Sequence, residues 1–116
     1  MIFIKTNWFI PKRFEAYNYG FITLMRPEVY HDEPLREHER THFRQFLRSP
    51  LTHSFKYTFN KEYRFQAEAE AFSEQLKYYK VGKYKTAKAR FAKFLHANYG
   101  LDKTLSQCSN AIKDLR

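Results

Sequence analysis

The residues of this chain best suited to chemistry are His38-Glu39-Arg40-Thr41-His42, two histidines four positions apart with a glutamate directly after the first. On an α-helix that spacing sets both side chains on one face, one turn apart, so both imidazoles can hold a single zinc ion, Zn2+. Glu39 stands beside the pair, where a carboxylate can take a proton from a metal-activated water and later deliver it to a leaving amine. The pattern therefore predicts zinc-dependent hydrolysis of a peptide bond, with His38 and His42 as metal ligands and Glu39 as general base and acid. The bland alternative is a pair of hydrogen-bonded core histidines with Glu39 tied to a neighbouring arginine.

Such a site requires a helix, and the punctuation around it supplies one. Asp32 can cap free amides, Pro34 is tolerated in a first turn, and Ser49-Pro50 ends the run, which predicts a helix over 33–48. Along it Leu35, His38, His42, Phe43, Phe46 and Leu47 fall on one face, and Arg36, Arg40, Arg44 and Arg48 on another. The histidines thus belong to the inward face.

A catalytic zinc site takes three protein ligands and keeps one position for water. A third histidine six residues after His42 would define the metzincin pattern, but that position is Arg48 and no glycine stands where one is needed, so this class is excluded. Two sources remain. Glu62, Glu68 and Glu70 lie on a following helical segment, and His53 comes eleven positions after His42.

The run His38–Gln45, together with Glu62-Tyr63-Arg64 and Glu68-Ala69-Glu70-Ala71-Phe72, resembles the small zincin-like metallopeptidases of the gluzincin type, many of them encoded by bacteriophages. The resemblance covers roughly residues 20–76. It implies that the third ligand is the glutamate of a Glu-x-x-Ala segment, here Glu68 with Ala71, and that Glu70 orients a ligand histidine. It further implies a peptide or protein substrate whose extended backbone pairs with a strand before the zinc helix, matched in position by Gly20–Arg26. His53 followed by Phe55 resembles instead the SprT-like zincins, which use a third histidine and act on proteins bound to DNA.

Few turn formers are available to the rest of the chain, with three glycines and four prolines in 116 residues, so helices should dominate. Strands are expected at 2–10 and 20–26, rich in β-branched and aromatic residues, and helices at 56–79, 84–98 and 102–115, the last begun by Asp102. The expected fold is α+β: one minimal zincin-like domain over 1–116, with short strands in 1–27 forming a two- or three-stranded sheet, metal-site helices in 33–79 and basic helices in 84–115. At 43% hydrophobic and 28% charged residues the chain can fill a core and coat it, which excludes a disordered segment.

The net charge of +9 is concentrated at one end. Residues 76–116 hold ten Lys/Arg against Asp102 and Asp114, whereas 1–75 are nearly balanced. That asymmetry makes nucleic acid a candidate partner through residues 76–116, and a basic module that binds nucleic acid or an acidic protein, without hydrolase activity, is the rival functional reading. The single Cys108 excludes an internal disulfide framework and is expected to be structural. With no signal-like or membrane-spanning run of apolar residues, a cytoplasmic protein without membrane contact is expected.

Overall fold

The structure, a computed structural model, describes residues 1–115. It is α+β and helix-dominated. Strands β1 (Ile2–Lys5), β2 (Ala16–Tyr19) and β3 (Ile22–Met25) precede helices α1 (Glu33–Arg48), α2 (His53–Phe59), α3 (Lys61–Leu76), α4 (Val81–Asn98) and α5 (Leu105–Ala111). The sheet order is β1-β3-β2, with β1 parallel and β2 antiparallel to β3.

Strand β2 was not expected. Its four residues, Ala-Tyr-Asn-Tyr, are too few and too polar to read as a strand alone. What makes them one is the two-residue hairpin Gly20-Phe21, with Gly20 at φ +73°, a conformation that favours glycine in the first position of such a loop. Because β2 occupies the edge, β3 is the central strand. The expectation that Gly20–Arg26 offers a free edge is therefore corrected: that edge belongs to β2, which is paired on one side only.

Helix α1 begins and ends where its punctuation places it, with Asp32 Oδ1 accepting from the Leu35 amide at 3.0 Å. The helix expected over 56–79 is two helices. Asn60 takes an extended conformation between them, closing α2 and capping α3 by accepting from the Tyr63 amide at 2.9 Å. Arg64 locks the joint by donating to the carbonyls of Tyr57 (2.7 Å), Thr58 (3.0 Å) and Tyr99 (2.8 Å). Helix α4 closes before Gly100, at φ +60°, as expected of a terminal glycine. Helix α5 starts later than expected: Thr104 and Gln107 form a capping box, and Asp102 lies in the left-handed region before it.

Phe65, Phe72, Leu76, Phe91, Leu95, Leu101, Cys108 and Ile112 make the core between α3, α4 and α5. Cys108 is fully buried there as a small apolar group. Phe72 links this core to α1, stacking on Phe91 at 5.2 Å and meeting His38 edge-on at 4.5 Å between ring centroids. Phe72→Ala should cost about 3–5 kcal/mol in urea denaturation, and a loss below about 1 kcal/mol would show that the core closes over the gap.

Candidate metal centre

Helices α1 and α3 pack with their polar midsections facing each other. From α1 come His38, His42 and Gln45, and from α3 Glu68 and Gln75, all of them buried. Glu68 is 2% exposed and divides its two oxygens between the histidines, Oε1 at 3.1 Å from His38 Nε2 and Oε2 at 3.1 Å from His42 Nε2. One ligand atom from each of His38, His42 and Glu68 lies within 4.8 Å of the others. A tetrahedral zinc site needs its ligand atoms about 3.3 Å apart, so small side-chain adjustments suffice.

The outer nitrogens of the imidazoles are also engaged. His38 Nδ1 is 3.0 Å from Gln75 Oε1, and His42 Nδ1 is 2.9 Å from Gln45 Oε1. The amide orientation of Gln45 follows from its other partners: Nε2 donates to the Ala67 carbonyl at 2.9 Å and to Glu70 Oε1 at 2.7 Å, both acceptors. Its carbonyl must then face His42, whose Nδ1 is the donor. In a neutral His42 this leaves the Nε2 lone pair turned toward Glu68 and available to a metal.

Glu70 thus acts on His42 only through Gln45, while its carboxylate also receives Arg48 at 3.0 Å. Gln45 and Gln75, which do the orienting, were not singled out from the sequence for that role. The available signal was their place on the inward faces: Gln45 stands three residues after His42, and Gln75 seven after Glu68.

The other candidate ligands lie elsewhere. Glu62 is on the exposed side of α3, paired with Lys103 at 2.8 Å. His53 is buried at the start of α2 with its Nδ1 2.7 Å from the Tyr63 hydroxyl, and among the described residues it is not part of the metal-capable group. Comparison with protein-family models, with curated proteins and with solved structures returns no match to this chain.

The cluster opens into a cleft of 460 Å³. One wall is β2, the other is α2 through His53, Ser54, Tyr57 and Thr58, and Phe14, Phe21, Phe46 and Tyr99 add apolar surface. Among the described residues no Lys or Arg lines it. The Tyr57 hydroxyl donates to Glu68 Oε2. Burial and the neighbouring Glu68 carboxylate push the Tyr57 and Tyr99 phenols well above their ordinary pKa, so both remain donors.

Electrostatics explains how so polar a cluster is tolerated. Burial works against ionisation of Glu68, yet the charge and hydrogen bonds of His42 and His38 outweigh it and hold its carboxyl below the usual range. Burial likewise disfavours the His42 imidazolium, but Glu68, Glu39 and Gln45 outweigh it and raise His42 to about 9. For Glu39 burial wins, lifting its carboxyl against the pull of His42 and His38.

A cation bound by His42 Nε2 must displace that proton. Zinc affinity should therefore rise with pH until about 9, where an unperturbed histidine would level off near about 6.5. Calorimetry at neutral pH in buffers of different ionisation enthalpy should read proton release on binding, and a flat affinity across this range would remove His42 from the ligand set. Gln45→Leu, with circular dichroism checking that the helices are retained, should weaken binding of a divalent cation by about 10–100-fold in a competitive chelator titration. Unchanged affinity would mean that the His42 ring is held by packing alone.

Proposed function

We propose that this chain is a zinc-dependent peptidase in which His38, His42 and Glu68 hold the metal and Glu39 moves the proton. The observation that carries this reading is the state of Glu39. Glu39 is 4% exposed and lines the same cleft as His38, His42 and Glu68, yet its Oε2 is buried without a hydrogen-bond partner among the described residues. A buried acceptor left unpaired costs about 1–3 kcal/mol, which a purely structural cluster has no reason to carry. A group waiting for a substrate proton does.

When bound, zinc supplies Lewis acidity that acidifies a water and polarises a carbonyl. Glu39 takes the proton of the attacking water and returns it to the leaving amine, and its upward shift brings the carboxyl closer to the working pH, as proton transfer requires. Tyr57 anchors Glu68, so the ligand carboxylate cannot swing toward solvent. The one-sided edge of β2 offers backbone groups to an extended peptide. The aromatic cleft lining without basic side chains suits a bulky apolar residue next to the scissile bond.

Metal analysis and peptide hydrolysis together test the proposal. Chelation should abolish turnover and added zinc restore it; His42→Ala and Glu68→Ala should lose metal. Glu39→Gln should keep metal and lose about 10²–10⁴-fold in kcat. A Glu39→Gln protein as active as the parent, or a parent that binds no zinc at micromolar concentration, defeats it.

A further inference from the structure

From Gln75 to Leu101 the chain has seven Lys and Arg residues and no Asp or Glu. Helix α4 carries five of the seven. Its buried side, Ala87, Phe91, Ala92 and Leu95, joins the core, so the opposite side is what a partner would meet. That side presents Lys83, Lys85, Arg90 and Lys93, separated by Gly82, Thr86, Ala89 and Ala97, all exposed.

Elsewhere Arg40, Arg44, Arg48, Lys61, Lys77 and Lys103 each pair with a carboxylate, and Arg13, Arg26, Arg36 and Arg64 donate to backbone carbonyls, while Lys5, Lys12, Lys56 and Lys80 form no ion pair among the described residues. Lys83, Lys85 and Lys93 form no ion pair among the described residues. Arg90 is held in place by Tyr79 and Phe91, with its guanidinium over both rings. Clustering unpaired like charges on one helix face is unfavourable to the helix itself, and a polyanion relieves it.

We propose that the outer face of α4 docks the phosphodiester backbone of a nucleic acid. Three features favour this occupant. The intervening side chains are small, and a Cβ added at Gly82 would meet nothing within 4 Å, so a backbone can come close to the helix. The face has no Trp, Phe, Leu or Ile to enter a lipid surface, which an interfacial helix needs. Lys83 to Lys93 span about 15 Å, and along a duplex axis each strand places a phosphate every 3.4 Å or so, which presents charge over the whole of that length. The contacts are to phosphate, so binding is salt-sensitive and indifferent to base sequence.

No residue of α4 lines the cleft, so this surface and the proposed peptidase site can be tested apart. The full chain is titrated against a fluorescent duplex of about 20 base pairs, by anisotropy, between about 50 and 200 mM salt. The expected result is binding whose affinity falls with salt at a log–log slope of about −3. Lys83→Gln/Lys85→Gln/Lys93→Gln should weaken binding at the lowest salt tenfold or more and flatten the slope by at least about 2. The control Lys5→Gln/Lys12→Gln/Lys56→Gln removes the same charge from other exposed positions and should stay within twofold. Glu39→Gln should bind like the parent. No binding at the lowest salt overturns the proposal, and so does equal weakening by both triple variants, which marks net charge alone. Binding to phosphatidylserine vesicles that depends on the α4 lysines, without binding to the duplex, assigns the face to lipid and overturns it as well.

Discussion

Glu68 is a carboxylate almost wholly removed from solvent, at 2% exposure, and the arrangement of α1, α2 and α3 follows from keeping it satisfied. A lone buried carboxylate would cost several kcal/mol. Here each oxygen has a histidine nitrogen, and the second oxygen also has the Tyr57 hydroxyl. The histidines are fixed in turn by Gln75 and Gln45, and Gln45 by Ala67 and Glu70. Apart from the His42–Gln45 bond within α1, every link joins α1 or α2 to α3, so the polar network sets how these helices meet, while the apolar core lies on the other side of α3.

Charge balance connects this network to chemistry. Glu39 and Glu68 together bring two potential negative charges into one buried volume, and among the described residues the cleft lining offers no Lys or Arg against them. Protons can offset them: His42 holds one up to about pH 9, and burial moves Glu39 toward its neutral form. A divalent cation held by two neutral imidazoles would offset the same two carboxylates without either proton. The features that make the protonated cluster tolerable are thus those that favour exchanging protons for metal.

How much of this could be read in advance differs from residue to residue. The placement of His38, Glu39 and His42 on a helix was legible because a four-residue spacing and a capping aspartate are local signals, and α1 has the expected bounds. Choosing Glu68 over Glu62 and His53 rested on resemblance, since the choice depends on where α3 begins. Its apolar rows ran on without a visible break, and only Asn60 turning extended, with Arg64 clamping the joint, separates α2 from α3. Strand β2 was illegible for a related reason: in a four-residue segment Ala16 and Asn18 work against the strand preference of Tyr17 and Tyr19, and the segment is held by pairing with β3 and by a hairpin glycine, neither of which a short window contains. That omission misplaced the free sheet edge by one strand.

The middle of α3 shows how one helix serves both the core and the site. Phe65, Ala69, Phe72 and Leu76 belong to the core with α4 and α5, while Glu68 and Gln75, two turns apart, point to α1. The partners run in opposite order along the two helices: His38 reaches Gln75 and Glu68, and Gln45 reaches Ala67 and Glu70. The helices are therefore antiparallel and their register is pinned at both ends of the site. Small residues at Ala67 and Ala71, 6% and 0% exposed, let the backbones approach closely enough for side chains as short as glutamate and glutamine to span the gap. Rotating α3 to free Glu68 would pull Phe72 and Leu76 from the core, so the apolar packing that stabilises the fold also holds the carboxylate at the histidines.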